Sequence, residues 1–188
     1  LKGEKVHGET FVVGNSVLDN LTDLGNCPTE NFILVTLHRR ENLHWMGEWF
    51  TEIEKLAISN PQFQFVLPIH PNPKVREHRH LLKNVTVIEP LGHTQLINTL
   101  RKSVLVISDS GGLQEEGTFF NKKVIVCRKT TERPEGLETG HLHMCETPKH
   151  LNKLFGKLIK NPYISISCPY GDGYTSEKVL KILRNEKL

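Results

Sequence analysis

Apolar residues along this chain gather into short runs, and between the runs the apolar spacing changes. Phe32 to Leu37 (FILVTL), Phe63 to Ile69, Val85 to Ile88, Val104 to Ile107 and Lys123 to Cys127 are too short for helices and rich in β-branched residues. That is the pattern of buried parallel strands. A further short strand is expected near Leu142 to Cys145. Between them, residues such as Trp49, Ile53, Leu56 and Ala57 recur at spacings of three and four, marking the inner face of a helix over Met46 to Ser59. Leu96, Ile97 and Leu100 do the same over Thr94 to Lys102. Helices are also expected over Lys74 to Leu82, Leu151 to Lys160 and Ser176 to Asn185. Strands alternating with helices predict right-handed βαβ units and a doubly wound parallel sheet of the α/β class.

Residues 1–31 read as a lead-in or inter-domain segment. It holds a strand-like Phe11-Val12-Val13, then Gly14-Asn15-Ser16, a helical stretch from Val17 to Leu21, and a turn at Asn26-Cys27-Pro28. Residues 32–188 read as the main domain.

In an open parallel sheet, ligands bind outside the carboxyl ends of the strands. The polar clusters of this chain fall at those ends. His38-Arg39-Arg40-Glu41-Asn42 follows the first strand and His70-Pro71-Asn72-Pro73 the second. Ser108-Asp109-Ser110-Gly111-Gly112 follows the fourth, and Thr130-Thr131-Glu132-Arg133-Pro134-Glu135-Gly136 the fifth.

The stretch Val104 to Asn121 carries the strongest signal. An apolar strand breaks at Ser108-Asp109-Ser110, paired glycines follow, and a helix begins with Leu113, Glu116 and Phe120 on one side. A helix start leaves backbone N–H groups unpaired at the positive end of the helix dipole, and glycines let an anion approach them. Ser110 adds a hydroxyl, and Glu116 could accept from sugar hydroxyls. The competing reading is a helix merely capped by Asp109 or Ser110. HRREN offers guanidiniums suited to phosphate and an imidazole that titrates near neutrality, or else a solvated, salt-bridged loop. HPNP presents His70 on a stiff loop, or simply starts a helix with Pro73 at its first position. Arg133 could meet a phosphate, or Pro134 could cap a helix.

Composition narrows the field. The chain has 188 residues with net charge +3, 37% hydrophobic and 24% charged, which fits a soluble globular protein with a full core. There is no run of Lys or Arg that would suggest a nucleic-acid groove, and no apolar run of about 20 residues that would span a membrane. Leu1-Lys2-Gly3 is not a signal peptide, and the absence of an initiator Met reads as a fragment of something longer. Cys27, Cys127, Cys145 and Cys168 form no CxxC pair, so no zinc site is expected, and no carboxylate cluster has the spacing of a metal site. Cys127 ends a strand pattern and reads as core. A reducing, cytoplasmic setting is the default. No GxGxxG follows the first strand, and GxxxxGK[ST], GxSxG and HExxH are absent, so no dinucleotide cofactor is expected. A cleft with phosphate donors, hydroxyl acceptors and histidines suits a sugar nucleotide.

Taken together and in this order, TLHRREN (Thr36 to Asn42), HPNP (His70 to Pro73), SDSGGLQEE (Ser108 to Glu116), TTERPE (Thr130 to Glu135) and YGDG (Tyr170 to Gly173) resemble the non-hydrolysing UDP-N-acetylglucosamine 2-epimerases. Gly14-Asn15-Ser16 is similar to that family's junction between its two halves. The resemblance implies the Rossmann-like carboxyl-terminal domain of a glycosyltransferase-B type fold. It implies interconversion of UDP-N-acetylglucosamine and UDP-N-acetylmannosamine by elimination and re-addition of UDP, through a glycal. By the same resemblance, Ser110, Gly111 and Gly112 hold the diphosphate and Glu116 accepts from the ribose. Arg133 contributes to substrate binding. His38 assists departure and return of UDP. Arg39, Glu41 and His70 match positions that some bacterial members use for a second, activating UDP-N-acetylglucosamine. No cofactor is implied, and homodimers are common in the family. The match covers nearly the whole chain but only about half of a family member. The amino-terminal domain, with the acidic residues that handle the C2 proton, would lie elsewhere, and this chain alone is expected to show little or no turnover. The segment Gly140-His141-Leu142-His143-Met144 departs from the family pattern. The alternatives are a glycosyltransferase of similar architecture and a noncatalytic sugar-nucleotide-binding module.

Overall fold

A computed structural model describes residues 8–25 and 27–185. The opening Leu1-Lys2-Gly3 and Asn26 of the Asn26-Cys27-Pro28 turn lie outside the described residues. Six strands, β1 Phe32–Thr36, β2 Gln64–Pro68, β3 Thr86–Ile88, β4 Leu105–Ser108, β5 Val124–Val126 and β6 Leu142–Met144, form one sheet in the order β3-β2-β1-β4-β5-β6. Every pairing is parallel, and β1 and β4 align Thr36 with Ser108 at their carboxyl ends. Strand order reverses direction between β1 and β4, so the crevice beyond those two strands is the switch point where an open α/β sheet takes its ligand.

The buried strands are those that read as unbroken apolar runs. Every residue of β1, β4 and β5 is buried, whereas β2 alternates buried with more exposed positions and the edge strand β3 has no buried residue. Helix α1, Met46–Ser59, buries Trp49, Phe50, Ile53, Leu56 and Ala57. With α6, Leu151–Leu158, it covers one face of the sheet, meeting Ile33, Val35, Phe65, Leu67 and Ile107 in a single core. Each such side chain contributes about 1.5–3 kcal/mol on full burial. Helices α3, His93–Lys102, and α4, Gly111–Phe119, cover the other face. Helix α4 lies so close that a Cβ on Gly117 would sit 2.8 Å from Val124 Cγ2 and 3.8 Å from Leu100 Cδ1. A side chain at that position would clash with β5.

Helix α2 is shorter than the expected Lys74 to Leu82. It runs Pro73–Arg76, with Pro73 at its start and the Asn72 side chain capping Lys74 N–H, and a separate 3-10 turn covers Arg79–Leu81. Phe11-Val12-Val13 forms no strand, and Val12 is 93% exposed. Three residues without a neighbouring strand cannot satisfy their backbone in a ladder. The main unit also holds α5, Glu135–Glu138, and 3-10 helices over Arg40–Trp45 and Pro148–His150.

The chain divides into two compact units. Gly25–Tyr170 contains the whole sheet. The described residues of Leu1–Leu24 and Gly171–Leu188 form the other, which comprises a 3-10 helix Ser16–Leu21 and helix α7, Thr175–Leu183. Within this smaller unit the two glycine motifs meet. Gly171 has φ +126°, and a Cβ there would lie 3.0 Å from Gly14 Cα. Asp19 accepts from Thr175 N–H, Ser176 N–H and the Ser176 hydroxyl, which caps α7.

Candidate functional site

The carboxyl ends of β1 and β4 are tied together below the site. Thr36 and Ser108 share a hydroxyl hydrogen bond of 2.7 Å, and Ser108 Oγ also accepts from Ser110 N–H at 2.9 Å. Asp109 is 0% exposed. Its carboxylate accepts from the N–H groups of His38 and Arg39 and from Asn42 Nδ2, at 2.8–3.0 Å for Oδ2. Asn42 also donates to the Cys127 carbonyl and accepts from Trp49 Nε1. One buried carboxylate therefore shapes the whole HRREN loop. Arg40 and Glu41 stay exposed, as in a solvated, salt-bridged loop, while His38, Arg39 and Asn42 are tied to this carboxylate.

Asp109 Oδ1 lies 3.2 Å from His38 Nδ1. That contact turns Nδ1 toward the buried carboxylate. The His38 ring stacks on His70 with centroids 5.2 Å apart and planes 15° from parallel. Burial, and then the neighbouring His38, hold the His70 pKa below its ordinary value against the opposing pull of Asp109. HRREN and HPNP therefore meet at one imidazole pair.

Ser110 is the N-cap of α4, in extended conformation, and its side chain makes no capping bond. Its carbonyl accepts instead from Gln114 Nε2. The TTERPEG loop folds over this helix start. Thr131 donates to Gln114 Oε1 at 2.6 Å, and Arg133 Nε donates to Glu115 Oε1 at 2.7 Å. The Arg133 guanidinium then lies against Gly111, where a Cβ would come within 3.2 Å of Nη1. A glycine at 111 thus has a second reason beyond the turn, because it admits this cation to the helix terminus. Tyr170 anchors the loop from beneath, donating to the Arg133 carbonyl and accepting from Gly136 N–H. Burial pushes the Tyr170 phenol up to about 12. Glu116 is 5% exposed and accepts from His93 Nε2 at 2.9 Å.

Glu41 pairs with Arg128 at 2.8 Å, and Arg128 with Glu132 at 3.5 Å. Burial would lower the Arg128 pKa, but the bonds to Glu41 and Glu132 outweigh it and the value is raised. His38, Arg39, Arg40, Glu41 and Arg128 line an open depression of about 500 Å³. The buried Arg39 Nε and Arg128 Nη1 have no hydrogen-bond partner there. The depression is rich in guanidinium donors, which suits a phosphate-bearing ligand.

The structure thus assembles two groups from the predicted residues. Ser110, Gly111, Gly112, Glu116 and Arg133 surround the start of α4. His38, Arg39, Glu41 and His70 gather beyond β1 and β2. Asp109 links the groups through the backbone of the first loop. Sequence reasoning missed Asn42, Glu115, Gln114, Arg128 and Tyr170 as positioning groups. Polar residues inside otherwise apolar-periodic segments, such as Gln114 and Glu115 on α4, were the available signal. Among the described residues no three metal-ligating side chains come together, and no helix is long and apolar enough to cross a membrane.

Comparison with known proteins places the chain in a family. The sequence model for the UDP-N-acetylglucosamine 2-epimerase family matches residues 2–184. The chain is 36% identical to the UDP-N-acetylglucosamine 2-epimerase of Bacillus subtilis, over 97% of its own length and 54% of the relative's. It is 35% identical to the Campylobacter jejuni enzyme, over 92% and 54%. Among solved structures, it superposes on the S. aureus MnaA–UDP co-structure with TM-score 0.85 at 33% identity, covering 98% of this chain and 56% of that one. The Neisseria meningitidis UDP-GlcNAc 2-epimerase bound to UDP-GlcNAc gives TM-score 0.80 at 31% identity, covering 94% and 55%. An E. coli heptosyltransferase solved with ADP, at 17% identity and TM-score 0.54 over 74% of this chain and 48% of that one, shares the fold alone. The architecture is the Rossmann-like carboxyl-terminal domain of a glycosyltransferase-B type fold, and the chain spans about half the length of the curated relatives it matches. Matched by the family's sequence model from residue 2 to residue 184, the chain belongs to the UDP-N-acetylglucosamine 2-epimerase family.

Proposed function

We propose that this chain is the UDP-binding carboxyl-terminal domain of an enzyme that interconverts UDP-N-acetylglucosamine and UDP-N-acetylmannosamine. The observation that carries the reading is the start of α4. There a serine hydroxyl that makes no capping bond, two glycines and the Arg133 guanidinium occupy one helix N-terminus. Relatives of more than 30% identity are described as bound to UDP or UDP-GlcNAc.

In this reading Ser110 and the Gly111 and Gly112 amides hold the diphosphate, with Arg133 beside them. Glu116 accepts from the ribose. Loss of the C2 proton and cleavage of the C1–oxygen bond give a glycal and leave both electrons of that bond on UDP. Donors already in place stabilise the charge that develops there. His38, oriented by Asp109, assists departure and return of that group. Protonation of C2 from the opposite face, with re-attack of the diphosphate oxygen at C1, gives the epimer. Arg39 and Glu41, in the depression beside His38, and His70, stacked on the His38 ring, form a second sugar-nucleotide site. The acidic residues that move the C2 proton belong to the other half of the enzyme, so this chain alone has little or no turnover. Residues 1–31 act as the inter-domain segment and 32–188 as the nucleotide domain.

Calorimetric titration of UDP into the 188-residue chain tests the reading. Binding is expected, and Ser110→Ala should weaken it about tenfold, the loss of one charge-assisted hydrogen bond. A chain that takes up no UDP, or a Ser110→Ala variant indistinguishable from the parent, would refute it. Full epimerase activity from this chain alone would refute the division of labour.

A further inference from the structure

His93 is exposed at the first position of α3, after the loop that leaves β3, and no role has been given to it above. Its ring reaches a residue on a different helix. Nε2 lies 2.9 Å from Glu116 Oε1, and the two side chains are 64% and 7% exposed. The approach follows from the packing of α3 against α4 on one face of the sheet. The loop before α3 is closed by Gly92 N–H donating to Gln95 Oε1, which sets the start of the helix and with it His93. Glu116 Oε2 faces the other way, 3.9 Å from where a Cβ on Gly112 would be. One carboxylate oxygen is therefore engaged by the imidazole, and the other is turned toward the start of α4.

We infer that His93 is a positioning residue for nucleoside recognition: it fixes the Glu116 carboxylate so that the ribose hydroxyls meet an acceptor already oriented. The inference rests on the proposed role of Glu116. A glutamate side chain has several rotatable bonds, and ordering it costs conformational entropy. A clamp that orders it before the ligand arrives moves that cost out of the binding step. His93 acts on the sugar end of the nucleotide only. In the proposed reading the diphosphate is held by Ser110, Gly111, Gly112 and Arg133, whereas the imidazole bonds to Glu116.

The test compares UDP with 2′-deoxy- and 3′-deoxyuridine diphosphate and with inorganic pyrophosphate, by calorimetry on the 188-residue chain. The parent should prefer UDP to the weaker deoxy analogue, and Glu116→Gln should remove most of that preference. His93→Ala should lower the preference by about threefold to tenfold, the range of one orienting hydrogen bond, and leave pyrophosphate affinity unchanged. His93→Gln, which retains a donor, should restore part of it. In the Glu116→Gln background, His93→Ala should add nothing further. Equal losses for UDP and both deoxy analogues, or additive effects in the double variant, would overturn the inference while leaving UDP binding intact. A parent chain that binds no UDP overturns the functional reading and takes the inference with it.

Discussion

Replacing Asp109 by alanine removes the group on which the first loop depends. The carboxylate is fully buried and accepts three N–H donors at 2.8–3.0 Å, from His38, Arg39 and Asn42. Hydrogen bonds to an ionised acceptor contribute about 1.5–3 kcal/mol each, so three amount to about 4.5–9 kcal/mol. That sum overstates the loss. His38 and Arg39 are half-buried, so water can take over their amides, and Asn42 keeps its bond to the Cys127 carbonyl. Halving the sum gives an expected destabilisation of about 2–4 kcal/mol, or a drop in Tm of about 5–15 °C for a chain of this size. Asp109→Asn retains one acceptor oxygen and should cost about 1–2 kcal/mol. Urea unfolding followed by tryptophan fluorescence is the assay, since Trp49 Nε1 is bonded to the same Asn42. The midpoint should fall with an unchanged slope. UDP affinity should fall in both variants at temperatures where they remain folded. An Asp109→Ala chain within about 1 kcal/mol of the parent would refute the claim that one carboxylate organises the loop.

Further predictions concern the second loop, the edge strand and the helix terminus. Gly136→Ala would place a Cβ 2.6 Å from Leu142 Cγ and against the Tyr170 hydroxyl, so thermal unfolding should show a loss of about 1–3 kcal/mol. His141 is fully buried, with Nδ1 bonded to the Thr139 hydroxyl, and burial holds its pKa below the ordinary 6.5; burial lowers His143 in the same way. Because the unfolded chain takes up these protons first, stability is complete above pH 6.5 and declines as pH falls from there toward the folded-state values. Urea midpoints at pH 7.5 and 5.5 should therefore differ less in His141→Gln than in the parent, and an unchanged difference would refute this. Gly111→Ala crowds the Arg133 guanidinium at 3.2–3.4 Å, a flexible group that can shift. It should weaken UDP binding measured by calorimetry by about tenfold or more, while Tm changes by no more than about 4 °C.

Much of the architecture was legible in the chain itself. Strands that sit inside a parallel sheet are covered on both faces, so FILVT and LVIS carry apolar side chains at nearly every position. Such runs, alternating with residues spaced by three and four, determine a doubly wound sheet and the rim on which its loops collect. The clusters HRREN, HPNP, SDSGG and TTERPEG were therefore assignable to that rim from order alone. Local pattern failed where a segment's fate depended on a neighbour. Phe11-Val12-Val13 has strand-forming residues but no partner ladder, and the stretch from Lys74 to Leu82 breaks where its turns do not continue.

The site's internal wiring needed the tertiary structure. Asp109 and His38 are 71 residues apart, Arg133 and Glu115 18, and His93 and Glu116 23. No periodicity encodes such pairs, because the sheet's strand order and the tilt of α3 against α4 decide which polar side chains face one another. Sequence showed that a serine, two glycines and an arginine were available for an anion. The folded chain decided that the arginine rests on the first glycine, that a buried aspartate holds the histidine, and that the two histidines stack. A parallel sheet makes this division general: hydrophobic burial, set residue by residue, builds the frame, while directional hydrogen bonds between distant loops exist only once the frame has closed.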